Sequence, residues 1–514
     1  MRAPEPLRAS GYLLPDFLTR AAGHAPGAPA IIERSGTASY GDLNRRANQV
    51  SHVLAAHGVN RGDRVLLAME NSATWVSCYF GILKAGAVVV PLAHGERSDR
   101  LRHAVADAGP AACLVDARTS GSVIALAGVR NVFIAGASLE QALAHMPVGE
   151  PSRKGIDLDL AAIVYTSGST GAPRGVMLSH LNLRANTESI VEYLRLSSAD
   201  RVMAVLPFHY VYGLSLLNTH VFAGASLVIE NRFAFPATML KGMQQHAVTG
   251  FAGVPSTFAF LLHRSPVATM RFPALRYVTQ AGGPLAAAHL REWRAAMPGV
   301  PFYVMYGATE AGARLSFLEP SELDMRPGSI GKAIPNVELT VVTDDGRVAA
   351  PGEVGELVAR GSNISAGYWN NREETRAAFV PEGYRTGDLA YADEEGFLYL
   401  VGRRQDMLKV GAHRVGAREI EDVVSEHPAV HEVAVIGEAH ELLGEVPVAV
   451  VTPRNGTIDV QDVLAFCRKQ LADYKVPVRI VVREELPKSG AGKIDKRAVR
   501  ESLTPEFGLE VRGV

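Results

Sequence analysis

The chain has 514 residues, about three domains' worth at ~150 residues each. Its 52 basic residues balance 53 acidic ones, and a 47% hydrophobic, 20% charged composition is ordinary for a globular protein. Whole-chain disorder, a nucleic-acid footprint spread over the surface and a polybasic membrane patch are therefore excluded.

The three cysteines, Cys78, Cys113 and Cys467, are too few for a disulfide scaffold and lack metal-ligand spacing. They point to a reducing, cytoplasmic compartment. No apolar core of a signal peptide is visible near the N-terminus. The apolar stretch 85–93 is broken by Pro91 and falls well short of the ~20 residues of a membrane span.

Residues 41–58 have helical spacing and close on Gly58. A short strand follows at 63–69, a helix at 74–86 and a strand at 87–92. DRLRHAVADAG and AACLVD repeat the theme. This alternation predicts an α/β fold with a mainly parallel sheet covered by helices. A second α/β passage spans 201–307. Residues 338–360 read as a small antiparallel unit, with turns at Asp345-Gly346 and Pro351-Gly352. A boundary near Gly402 divides the chain into a large unit, 1–401, and a smaller α+β unit, 402–514. The latter holds a helix at 417–426 and the strands VHEVAVIGE and VPVAVVTP. No tandem repeat is present. The eighteen residues after Lys496 are too few for a carrier domain.

The sharpest local signal is YTSGSTGAPRG at 165–175, which follows the apolar strand LAAIV. Gly168, Gly171 and Gly175 let the backbone approach a ligand. Thr166, Ser167, Ser169 and Thr170 offer hydroxyls beside backbone N–H groups, which suits phosphate oxygens. The loop is not a Walker motif, so a P-loop kinase or GTPase is disfavoured. MYGATE follows the apolar strand FYVM. YRTGD reads as a turn holding Arg385, Thr386, Gly387 and Asp388. GRRQDMLKVGAHRV spans 402–415, and LPKSGAGKIDKRAVR places Lys493 on a glycine-rich loop.

This ordered set resembles the adenylate-forming superfamily: acyl- and aryl-CoA ligases, stand-alone adenylation domains and luciferase-like enzymes. SYGDL, LKAGAVVVPL, GELVARGSNISAGYWN and LADYKVP support the likeness, which covers nearly the whole chain. The resemblance implies ATP-dependent activation of a carboxylic acid to an acyl-adenylate. Transfer to the thiol of CoA or another phosphopantetheine then follows, with Mg²⁺ as cofactor and a small mobile C-terminal domain. It implies that the Ser/Gly loop (Thr166, Ser167, Gly168, Ser169, Thr170, Gly171) and Arg174 hold the phosphates. Ala281, Gly282, Gly283, Tyr306 and Gly307 would line the nucleotide, and Asp388 and Arg403 the ribose. Thr309 would contact the α-phosphate and Glu310 ligate Mg²⁺. Lys493 would bridge the attacking carboxylate and the α-phosphate.

His209, Tyr212, Gly213, Val254, Ala281, Gly282 and Gly307 would form the acid pocket, with His209 beside the reacting carboxylate. Where α-amino-acid adenylation domains carry an Asp for the substrate ammonium, this chain has His209. Gln405, Lys409 and Gly411 align with the hinge and thiol channel. Three positions depart from the family pattern: Arg174 for Lys, Gln405 for Asp or Lys, and Ala412 for Gly. Arg314 is read as a surface or structural arginine, with pairing to a second substrate carboxylate as the alternative.

The leading expectation is an acid–CoA ligase. Its rival is a stand-alone enzyme that loads an acyl or amino acid onto a carrier protein in trans. A non-catalytic adenylate-binding protein and an oxygen-dependent luciferase-like enzyme are the remoter alternatives. A homodimer is compatible with all of them.

Overall fold

The computed structural model describes residues 11–96, 98–126, 131–152, 155–166, 173–411, 413–440, 442–454, 456–488 and 494–503, with side chains excluded at 98, 405 and 414. The expected helix–strand alternation is present. The helix Tyr40–Ala56 is followed by the strand Arg64–Ala68, the helix Ala73–Lys84 and the strand Val88–Pro91. Ser39 starts the first of these helices: its hydroxyl accepts from the Asp42 N–H while the Asp42 carboxylate accepts from the Ser39 N–H. The helix Ala73–Lys84 is apolar on nearly every side and almost wholly buried, as a helix enclosed between layers must be.

Two large sheets result. One runs in the order Asn131–Ile134, Ala112–Val115, Arg64–Ala68, Val88–Pro91, Leu160–Thr166 and Arg174–Ser179. All its neighbours are parallel except the last pair. The other has a parallel half made of Pro29–Glu33, Ser226–Ile229, Arg201–Ala204, Gly250–Gly253, Tyr277–Gln280 and Phe302–Tyr306. It continues as an antiparallel half through Ser316–Leu318, Ser329–Ala333, Leu398–Arg403, Gly383–Ala392, Gly355–Gly361 and Val337–Val342. The antiparallel unit expected at 338–360 is the outer edge of this half. The strand Phe302–Tyr306 is therefore the seam where parallel order gives way to antiparallel order.

The chain leaves the second sheet at Arg403, turns through Arg404–Asp406, and builds a separate five-stranded sheet. There Val430–His440 and Gly444–Pro453 form a long hairpin, joined by Met407–Val410, His413–Gly416 and Arg479–Val482. The helices Ala417–Ser425 and Val460–Gln470 cover it, and Ile420, Val424, Val463 and Cys467 fill its core. Arg454 reaches back to Glu292 at 3.5 Å, and His263 meets His431 edge-on. No helix among the described residues is long and apolar enough to cross a membrane.

Candidate active site

The seam strand Phe302–Tyr306 delivers most of the candidate chemistry. Its last residue, Tyr306, donates its hydroxyl hydrogen to Asp388 Oδ2 at 2.5 Å. Arg403 Nε lies 3.0 Å from Asp388 Oδ1. Burial, with the Asp388 carboxylate beside it, raises the Tyr306 phenol, so the tyrosine stays a neutral donor. Asp388 is only 7% exposed, and both of its oxygens are engaged.

The YRTGD segment is not the turn that its composition suggests. It lies inside the ten-residue strand Gly383–Ala392. The pairing with Gly355–Gly361 slips there: Glu356 faces Leu389, whereas Val358 faces Arg385. Gly387, at φ +73°, supplies the left-handed backbone that such a bulge requires. The bulge aims Asp388 at Tyr306, and the other neighbouring strand sets it opposite Arg403.

Beyond Tyr306 the chain turns sharply. A Cβ on Gly307 would lie 1.9 Å from the Ala313 carbonyl oxygen, so only glycine lets the 307–314 segment fold back on itself. Thr309 and Glu310 sit in the short 3₁₀ turn Thr309–Ala311. Tyr368 donates its hydroxyl to Glu310 Oε1 at 2.8 Å, and Ser365 N–H donates to the Glu310 carbonyl at 2.8 Å. Tyr368 in turn packs under the Arg174 guanidinium at 5.4 Å from the ring centre, and Arg174 pairs with Glu374. The segment 367–369 is zipped to the strand Arg174–Ser179 by Met177 N–H to the Gly367 carbonyl and Trp369 N–H to the Gly175 carbonyl. Glu310, Tyr368, Arg174 and Glu374 thus form one connected polar line. The sequence motifs did not single out Tyr368 or Glu374; the GYWN match was a signal for Tyr368, and none marked Glu374.

Thr166 ends the strand Leu160–Thr166 opposite Arg174. The loop residues Ser167, Gly168, Ser169, Thr170 and Gly171 lie outside the described residues, as does Lys493.

The acid-pocket candidates meet at the ends of neighbouring strands. Ala281, Gly282 and Gly283 follow the strand Tyr277–Gln280; Ala281 is buried, and Gln280 Nε2 donates to the Gly283 carbonyl at 2.7 Å. Val254 immediately precedes the helix Pro255–Arg264. His209 stands just before the helix Val211–Ala223, whose first turn holds Tyr212 and Gly213. The His209 ring stacks obliquely on Tyr210, and its buried Nε2 finds no hydrogen-bond partner among the described residues. Burial, and secondarily His94, pushes this imidazole down to about 4, so it is neutral at physiological pH. The Tyr212 hydroxyl is 3.0 Å from Thr279 Oγ1 and 3.1 Å from the Thr279 carbonyl.

Arg314 is not a surface arginine. It is 3% exposed, and its guanidinium lies over the Tyr212 ring at 4.1 Å.

Gln405 occupies the turn Arg404–Asp406 between the two sheets. Its neighbour Arg404 pairs with Glu356 at 3.0 Å and Asp344 at 2.8 Å. Lys409 is exposed on the strand Met407–Val410. Gly411 (φ +59°) donates its N–H to the Leu443 carbonyl at 2.7 Å. Ala412 lies outside the described residues.

The chain is similar to known proteins along most of its length. The family model described as AMP-binding enzyme matches residues 18–369, and that of its C-terminal domain matches 419–493. An indoleacetate–CoA ligase of Aromatoleum aromaticum is 31% identical over 97% of this chain and 99% of its own length. The ATP-bound structure of MatB from Rhodopseudomonas palustris is 32% identical with a TM-score of 0.88, covering 95% of this chain and 98% of that one. An o-succinylbenzoate–CoA synthetase (MenE) of Bacillus subtilis, solved with ATP and magnesium ion, is 27% identical with a TM-score of 0.84, covering 93% and 98%. The chain belongs to the AMP-binding enzyme family, within the adenylate-forming superfamily of acyl- and aryl-CoA ligases.

Proposed function

We propose that the site built around the seam strand carries both half-reactions of an AMP-forming acid–CoA ligase. The activity is ATP-dependent activation of a small carboxylic acid, followed by transfer of the acyl group to a phosphopantetheine thiol. In the first step a carboxylate oxygen attacks the α-phosphorus. The bond to the bridging oxygen breaks, and pyrophosphate leaves. In the second step the thiolate sulfur attacks the acyl carbon, the acyl–phosphate C–O bond breaks, and AMP leaves.

Each residue is given a task by its chemistry. Asp388, exchanging its Tyr306 contact for the ribose, accepts from the two sugar hydroxyls, and Arg403 keeps it ionised. Thr309 donates to the α-phosphate. Arg174 and the loop 166–171 grip the β- and γ-phosphates and release them as pyrophosphate. Lys493 neutralises charge passing from the attacking carboxylate to the α-phosphate. His209, neutral and unpartnered at Nε2, lies at the mouth of the acid pocket and shields the acyl carbon from water. Gln405 is the pivot about which the 402–514 unit turns, and Lys409 and Gly411 border the thiol path after that turn.

Mg²⁺ fits the donors present. No cluster of three or more metal-ligating side chains exists among the described residues. Glu310 offers one carboxylate steadied by Tyr368, and Mg²⁺ prefers a single carboxylate supplemented by phosphate oxygens and water. When bound, it offsets negative charge on the phosphates.

The observation that carries this reading is the Tyr306–Asp388–Arg403 line, contributed by three strands of one sheet, in a chain of this family. A cytoplasmic location accords with three cysteines that are all buried and unpaired. The acceptor is tested by supplying the adenylated enzyme with free CoA and with phosphopantetheinylated carrier proteins. Acyl-CoA formation with AMP release supports the ligase reading. Transfer to carriers alone would make the chain a carrier-loading enzyme instead.

A further inference from the structure

Arg314 is a buried cation with no carboxylate partner among the described residues. Its Nε is 3.2 Å from the Met305 thioether, its Nη1 is 3.2 Å from the Ala313 carbonyl, and its planar face covers Tyr212. The Tyr193 hydroxyl lies nearby, bonded to the same Met305 sulfur at 3.0 Å. Burial raises the phenols of Tyr193 and Tyr212, and in both cases Arg314 is the nearby charge that opposes the rise. No carboxylate among the described residues pairs with Arg314.

The chain treats its other buried cation differently. Lys84, 6% exposed, is held by Glu150 at 2.7 Å and by the side chains of Thr19, Asn44 and Asn48. An arginine cannot shed its proton to escape burial, and an unpaired buried charge costs several kcal/mol. The stacking on Tyr212 offsets only ~1–2 kcal/mol of that. A site that keeps such a charge is organised for an anion that arrives later.

The position says which anion. Arg314 follows the fold-back at Gly307, where an added Cβ would lie 2.9 Å from the Arg314 Cα. Its guanidinium lies over Tyr212, one of the acid-pocket candidates, and contacts Met305 of the seam strand; Tyr212 is bonded to Thr279, two residues before the pocket candidate Ala281. We propose that Arg314 binds a second carboxylate, at the far end of the acid, so that this enzyme activates a dicarboxylic acid. The planar fork of a guanidinium matches a carboxylate with two parallel hydrogen bonds. The proposal rests on the ligase reading and names the substrate class of that same site.

The test is acid-dependent exchange of labelled pyrophosphate into ATP, run without CoA on matched pairs: butyrate and succinate, hexanoate and adipate, benzoate and terephthalate. One diacid should exceed its monoacid partner in kcat/KM by about 10–100-fold, the size expected of a charged hydrogen-bonded contact. Arg314→Met should reverse that order while leaving KM for ATP in place. Arg314→Lys should keep part of the preference, and it serves if the methionine variant does not fold. Monoacids preferred by the wild type in every pair, or an order that Arg314→Met leaves unmoved, would overturn the proposal while the ligase reading stood. Exchange with no acid at all would overturn both.

Discussion

Asp388 shows how much of the proposed nucleotide site hangs on single atoms. Its two oxygens take a phenol proton from Tyr306 and the Arg403 guanidinium, respectively. An amide in its place would keep the shape but lose the charge and one acceptor. Asp388→Asn should raise KM for ATP by about 10–100-fold, since hydrogen bonds to charged groups are worth ~1.5–3 kcal/mol, with a smaller change in kcat. Isothermal titration with ATP and steady-state kinetics would measure this, and an unchanged ATP affinity would remove Asp388 from the ribose. The motifs singled out Asp388, Glu310 and Tyr306 as candidates, and the structure brings Tyr306 and Asp388 into contact. Of the two options read for Arg314, surface or structural, its burial removes the first; arginine is seldom fully buried, and nothing in the pattern EAGARLS marks which way its side chain turns. Tyr368 escaped notice because its partner Glu310 lies 58 positions away, a contact that only the fold creates.

The strand Gly383–Ala392 shows why secondary structure was read well in some places and not in others. The parallel-sheet strands were legible as short apolar runs between helices of clear periodicity: Val88–Pro91 and Ala112–Val115 are buried along their whole length. Arg-Thr-Gly-Asp carries turn chemistry instead, so its strand was invisible. The glycine serves a bulge within the strand, not a chain reversal. Gly387→Ala has room for its methyl group but must adopt φ +73°, which costs roughly 1–2 kcal/mol for a residue with a Cβ. We expect a modest loss of Tm together with a clear rise in KM for ATP, because relaxing the bulge turns Asp388 away from Tyr306. A variant that lost stability but kept its ATP affinity would show that the bulge does not aim the carboxylate.

At the scale of the whole molecule, the two units are linked by the turn Arg404–Asp406, and among the described residues Arg404 pairs with Glu356 and Asp344, Arg454 with Glu292, and His263 meets His431 across them. That two-part organisation was legible in the change from α/β alternation to the strands after Gly402. The side-chain contacts between the parts were not, because single exposed charges carry no partner information. Under the proposed function, Lys493 has a task separable from thiol transfer. Lys493→Ala should lower adenylate formation by about 10²–10³-fold, as expected when one stabilising contact to transferring charge is lost. The same variant should still pass a supplied acyl-adenylate to CoA. An equal loss in both half-reactions, with the fold intact by circular dichroism, would refute this division of labour.

The most direct measurement is pyrophosphate exchange into ATP by the wild-type enzyme without CoA, across fatty, aryl, dicarboxylic and amino acids. The account predicts exchange that depends strictly on one class of acid, because an acyl-adenylate forms and reverts before any thiol is present. ATP binding without exchange for any acid would contradict it.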